Sequence, residues 1–183
     1  MHVRRLIFLL AIALASTVRA DVISGPLSMA ASTRKRILVV RVGPTEVRRY
    51  SIAVGSKNHP TPMGHFSVRH IVWNPDWNPP DAPWAKGKKP LPGGHPDNPM
   101  KVVKIFFSEP DYYIHGTDNE QSIGEAASHG CIRMAESDAV DLARYLMEHD
   151  GAHHDDSWYD SVQSSAKPTD VRLPYGVPMV IGK

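Results

Sequence analysis

Ser128-His129-Gly130-Cys131-Ile132-Arg133-Met134 is the stretch on which the reading of this 183-residue chain turns, because it holds the only cysteine. One cysteine cannot close a disulfide within the chain. In an exported protein an unpaired cysteine points to intermolecular pairing or to a reactive thiol, and otherwise to a small buried hydrophobe. The neighbours of Cys131 favour reactivity. Gly130 has no side chain to keep a bound molecule away from the backbone. A cysteine attacks as its thiolate, and a free thiol has a pKa of about 8.5, so a base must take the proton. Imidazole is the usual partner. After Cys131, Ala139, Val140, Ala143, Leu146 and Met147 recur at spacings of three and four, which predicts one face of a helix. Asp138 and Asp141 fall in its early turns, and Gly151 ends it. The start of this helix is expected to turn its positive end toward the thiolate. The backbone N–H groups of Gly130 and Cys131 are placed to hold an oxyanion.

Two histidines compete for the role of base. If the segment is extended, His129 points away from Cys131, because alternate side chains face opposite ways. That favours His115, at the end of the strand Tyr112–Ile114, and leaves His129 to shape the loop. A second polar cluster comprises His149, His153, His154, Asp155 and Asp156. The His149-x3-His153 spacing suits zinc on a helix, but Gly151 interrupts it, so it reads as a solvated loop. No metal or cofactor is expected.

Outward from the motif, the chain reads mainly as β. Arg36–Val42 is a β-branched run stopped by Gly43-Pro44, and Val47–Val54 returns from it. Thr61–Val68 enters another strand past Pro62 and Gly64. Ten of the 16 prolines lie between Pro60 and Pro99, and proline fits neither helix interiors nor central strands. With Trp73, Trp77 and Trp84 nearby, residues 74–99 are expected to form a long ordered loop packed on the domain, either a wall of a binding groove or a purely structural loop, and not a solvated linker. Val102–Phe107, Tyr112–His115 and Val177–Ile181 complete the strands. The sum is a mainly β, sandwich-like or mixed domain with one principal helix after the cysteine.

At the N-terminus, His2, Arg4 and Arg5 precede the apolar run Leu6–Ala15. That run is shorter than the roughly 20 residues a bilayer span needs, and Val18-Arg19-Ala20 offers a cleavage site, so residues 1–20 read as a signal peptide and the alternative is a membrane anchor. Residues 21–35, small and polar, read as a flexible leader, and 36–183 as the domain. Without the leader peptide, Lys+Arg falls from 21 to 18 against 19 acidic residues. The near-neutral balance excludes the basic footprint of a nucleic-acid binder. An exported monomer of the periplasm or cell envelope, with no stable membrane span after cleavage, is the expectation.

The motifs together carry a resemblance. "IHGT" at 114–117 followed by "SIGEAASHGCIRM" at 122–134 resembles the signature of the L,D-transpeptidase catalytic domain, the YkuD family. "TPMGHFSV" at 61–68 is similar to that family's TP-x-G-x-F segment, and "NPDWNPP" at 74–80 to its asparagine–proline–tryptophan stretch. The resemblance runs from about Ile37 to Ile181. It implies Cys131 as nucleophile, His115 as general base, and the Gly116 carbonyl as the group orienting that imidazole. It further implies that Ser128, His129 and Gly130 shape the turn lining the oxyanion hole, and that Arg133 supports the site or holds a carboxylate. Ala135 departs from the family by standing where a capping Ser or Thr is usual, so capping falls to Ser137 or to backbone and water. The implied activity joins peptidoglycan stem peptides, tetrapeptide donor to amine acceptor, through a cysteine thioester, giving 3→3 cross-links or a protein–wall link. The alternatives are an L,D-carboxypeptidase or wall-peptide amidase using the same Cys–His site, and a wall-binding module without catalysis.

Overall fold

The computed structural model describes residues 24–183. The signal-peptide reading of residues 1–20 lies outside them. The strands are β1 (Leu27–Ser32), β2 (Ile37–Val42), β3 (Thr45–Ser51), β4 (Val54–Gly55), β5 (Gly64–Trp73), β6 (Val103–Ser108), β7 (Tyr112–Thr117), β8 (Ala126–Ser128), β9 (Ile132–Ala135) and β10 (Thr169–Gly182). Two helices, α1 (Glu136–His149) and α2 (Asp156–Ser164), separate β9 from β10. Eight strands form one mixed sheet in the order β3-β2-β1-β10-β5-β6-β7-β9, and β4 pairs with β8 in a small parallel ribbon. Within the large sheet β1–β10 and β7–β9 are parallel and the other pairs antiparallel.

Residues 21–35 do not form a flexible leader throughout. From Leu27 to Ser32 they are β1, paired with β2 on one side and β10 on the other. The alternation Leu27-x-Met29-x-Ala31 carries this strand, with Met29 and Ala31 buried, but alanine and serine give it little β signal. The last strand is also longer than Val177–Ile181. β10 runs for 14 residues and absorbs Pro174 in a register shift between Arg172 and Val177, the kind of irregularity at which a strand tolerates proline.

The core lies between the sheet and α1. Ala139, Leu142, Ala143, Leu146 and Met147 are fully buried, as are Ile114, Ile132 and Met134 on β7 and β9. The second helix, α2, adds Tyr159 and Val162. Trp73 sits at their junction, where its indole N–H meets Met147 Sδ at 3.4 Å and its ring meets the edges of Trp158 and Tyr159. The expected helix thus has a shorter companion, capped by Asp155, whose carboxylate accepts from Trp158 N at 2.9 Å. The 149–156 cluster is consumed by these helix ends. His149 stacks on Tyr145 (3.9 Å) and His154 on Trp158 (3.9 Å). Among the described residues no group of three or more His, Cys, Asp or Glu side chains is arranged to hold a metal ion. No described helix is long and apolar enough to cross a membrane.

Residues 74–99 form an ordered loop with one short 3-10 turn at Pro83–Ala85. Polar side chains brace it from inside. Asn98, 1% exposed, donates to the carbonyls of Pro75 (2.9 Å) and Pro92 (3.1 Å) and accepts from Met100 N (2.9 Å). The Asp76 carboxylate accepts from Gly93 N at 2.8 Å, and Trp77 and Leu91 pair backbone to backbone. Several prolines cannot donate to a ladder, so side chains supply these bonds instead.

Candidate active site

β6, β7 and β9 bring the chemistry together. β7 and β9 are parallel, with His115 opposite Arg133, and β6 sets Lys104 opposite His115. Alternation then divides each strand. Ile114, Ile132 and Met134 enter the core, while Tyr113, His115, Lys104 and Arg133 share the other face. Cys131 immediately precedes β9, two residues before Arg133, and belongs to this second face.

The Ser128–Cys131 turn is built around one hydroxyl. Ser128, 2% exposed, donates to the Cys131 carbonyl at 2.5 Å and accepts from Gly130 N at 3.2 Å. This commits the Gly130 N–H inward, so of the two amides expected to hold an oxyanion only that of Cys131 is left without this bond. Gly130 has φ +114, and a Cβ there would meet Tyr112 Cε1 at 2.8 Å. Both facts require glycine. From the other side, Ser56 N donates to the Ser128 carbonyl at 2.9 Å, and Thr61 holds the Gly55 amide at 2.8 Å.

Cys131 is partly buried and its thiol donates to the Asp111 carbonyl at 3.4 Å. Burial pushes its pKa up; the Tyr113 amide and phenol and the cations Lys104 and Arg133 pull the other way without prevailing. His115 is 4% exposed, and its Nδ1 lies 2.6 Å from the Gly116 carbonyl. A carbonyl only accepts, so Nδ1 carries the proton and Nε2 is left as the basic nitrogen. Burial, then Arg133, pushes the His115 pKa down to about 4, against the opposing pull of the Gly116 and Pro99 carbonyls. At neutral pH the site therefore rests as a neutral thiol bonded to the Asp111 carbonyl and a neutral imidazole on β7.

The helix does not serve the thiol. α1 begins at Glu136, after the four residues of β9, so its first residue is five positions, about 16 Å at ~3.3 Å per residue, along the strand from the cysteine. It lies instead beside Gly116, where a Cβ would meet Glu136 Cα at 3.1 Å. The cap residue is Ala135, and no side chain caps it, Ser137 included. His129 is exposed and turned outward, stacked at 4.1 Å and 14° on Trp84 of the 74–99 loop and 4.9 Å from His59. The loop is thereby pinned to the turn that carries Cys131.

Two residues of this face were not singled out from the sequence. Tyr113 is two residues from His115 on the same strand, so alternation alone places it on the same face. Lys104 becomes visible only through the β6–β7 register, which no local pattern encodes. Its ammonium donates to the Asp76 carbonyl at 3.1 Å and sits 4.9 Å above the Tyr113 ring.

The family model described as the YkuD L,D-transpeptidase catalytic domain matches residues 28–170. A putative L,D-transpeptidase, YqjB of Bacillus subtilis, is 39% identical over 98 residues, covering 51% of this chain and 51% of that protein. A second, YkuD of Bacillus licheniformis, is 35% identical over 118 residues, covering 64% and 59%. The chain thus spans 51% and 59% of the length of these relatives. Among solved structures, L,D-transpeptidase 3 from Mycobacterium tuberculosis superposes with a TM-score of 0.56 at 16% identity, covering 86% of this chain and 61% of that one. The shared mixed sheet, and a family model matched from β1 into β10, lead to one conclusion: this chain belongs to the YkuD family of L,D-transpeptidase catalytic domains.

Proposed function

We propose that this chain is a peptidoglycan L,D-transpeptidase that works through a Cys131 thioester outside the cytoplasm. One observation carries the reading. The lone thiol stands at the start of β9, on the face that β7 lines with a buried, neutral imidazole whose Nδ1 proton is fixed by the Gly116 carbonyl. In the proposed reaction His115 Nε2 takes the thiol proton. The sulfur attacks the carbonyl between the diamino acid and the terminal D-Ala of a tetrapeptide stem, and the Cys131 N–H meets the developing oxyanion. The C–N bond breaks, His115 returns its proton to the departing D-Ala amine, and a thioester remains. An acceptor amine, from a second stem or from a protein, attacks that carbonyl and loses a proton to His115. The sulfur leaves and is reprotonated. Each proton taken is given back, and every group involved belongs to the chain or its substrates. Ser128 and Gly130 hold the turn, and Trp84 on His129 closes one wall.

The test is mass spectrometry of products from tetrapeptide-containing muropeptides incubated with the protein and with Cys131→Ala. The wild type is expected to lose D-Ala and form cross-linked product, with a transient acyl adduct on Cys131. Cross-linking that persists in Cys131→Ala overturns the proposal.

A further inference from the structure

Lys104 has a role the reaction above leaves unassigned. Its charge faces Cys131, Tyr113 and His115 from the neighbouring strand β6. Among the described residues its ammonium makes no ion pair with any carboxylate, and neither does Arg133. Of the two acidic groups that would raise its pKa, Cys131 rests as the neutral thiol and the Asp76 carboxylate is occupied by Gly93 N. Burial outweighs both and pushes the Lys104 pKa down. A half-buried cation held by one carbonyl and a ring face is under-compensated, and a buried charge costs free energy until it is paired. The Asp76 carbonyl and the Tyr113 ring also fix the side chain in place, so little conformational freedom remains to be lost on binding.

We propose that Lys104 binds the free terminal carboxylate of the donor stem and so selects peptides whose scissile bond lies one residue from the C-terminus. The inference rests on the proposed transpeptidase reading. In such a donor the carboxylate belongs to the leaving residue, a few bonds from the attacked carbonyl, so a cation on the nucleophile's own face can reach it. A longer stem puts an amide at that place and its carboxylate farther off. Lysine suits the task as a point charge that meets a carboxylate from several directions. Arg133 sits on the far side of the His115 row and is left to the rest of the stem.

The experiment separates recognition from chemistry. Binding of a tetrapeptide stem as free acid and as C-terminal carboxamide is measured by calorimetry on Cys131→Ala protein, with and without Lys104→Met. Turnover of both peptides is measured on proteins that retain Cys131. The free acid is expected to bind at least about tenfold more tightly than the amide, as for a charge-assisted hydrogen bond. Lys104→Met should erase that difference through the acid alone, and Lys104→Arg should restore part of it. In turnover the loss should fall on KM more than on kcat. Equal binding of acid and amide, or a preference that survives Lys104→Met, overturns the role of Lys104. Selective binding through Lys104 without release of D-Ala by the wild type overturns the transpeptidase reading and leaves Lys104 as the carboxylate site.

Discussion

Ser128→Ala is the sharpest perturbation of the turn that carries Cys131. The hydroxyl both donates to the Cys131 carbonyl and accepts from the buried Gly130 amide. Alanine occupies the same backbone and leaves both partners without a bond. A buried donor or acceptor stripped of its partner costs about 1–3 kcal/mol. Two such groups, less the gain from no longer burying a hydroxyl, give a net loss of about 2–4 kcal/mol. For a domain of this size 1 kcal/mol corresponds to about 2–4 °C in Tm, so thermal unfolding by circular dichroism should fall by about 4–15 °C. The second readout is D-Ala release at a temperature where both proteins are folded. Displacing the sulfur by a fraction of its reach costs up to about a hundredfold in rate, and the loss should appear in kcat, because Lys104, Arg133 and Trp84 are untouched. Ser128→Thr keeps the oxygen and should recover most of the activity. An Ser128→Ala protein that melts with the wild type and turns over at the wild-type kcat refutes the idea that this hydroxyl builds the turn.

Four further perturbations test other parts of the site. His115 has its pKa depressed in the folded state to about 4, so its contribution is present above about pH 6.5 and is lost as pH falls toward 4, up to about 3 kcal/mol; a His115→Gln protein should show a flatter stability profile across that window in urea titrations. Tyr113→Phe removes the phenol that favours the thiolate of Cys131, so alkylation by iodoacetamide should slow several-fold at pH 8, and an unchanged rate would show that the phenol does not reach the sulfur. Gly130→Ala must place a Cβ against Tyr112 at φ +114; a destabilisation of about 1–3 kcal/mol with loss of turnover is expected, and an undisturbed protein would refute the close approach. Trp84→Ala removes the stack on His129 and should raise KM several-fold while the rate of thiol alkylation stays within about twofold, as the loop and not the nucleophile is loosened.

The parts of this protein legible in the sequence are those whose signal is local. The motif around Cys131, the His–Gly pair at 115–116 and the period of α1 are each short patterns read within a few residues, and the structure brings them to neighbouring elements β7, β9 and α1. β1 escaped because its inward positions include only Met29 and Ala31, too small and too few to set a pattern against the flanking serines. Lys104 and the β7–β9 register escaped for a different reason. Parallel neighbours β7 and β9 are joined through the 118–131 segment, and nothing in either strand states how they align. The helix gave the most instructive error. Its position in sequence, with only four residues between Cys131 and its start, suggested that its dipole served the cysteine. Those four residues are extended, so they carry the helix start to the Gly116 end of the sheet. Distance along a strand, at more than twice the rise per residue of a helix, undid an inference that a tight turn would have allowed.

The resting protonation of the site bears on how its one cysteine would stay usable if the chain is exported to an oxidising compartment, as proposed. Oxidation and disulfide exchange proceed through the thiolate. Burial raises the pKa of Cys131 and lowers that of His115, so the two shifts move apart and oppose a standing thiolate–imidazolium pair. The thiol donates to the Asp111 carbonyl and waits as the neutral species. Lys104, Arg133 and Tyr113 already lean toward the thiolate but are outweighed by desolvation. In the proposed reaction, attack then depends on a carbonyl being present for the sulfur as the proton moves to Nε2, and not on a preformed anion. A helix N-terminus aimed at Cys131 would shift that balance toward a permanent thiolate. Its placement at Gly116 instead fits a nucleophile that is unmasked by its substrate.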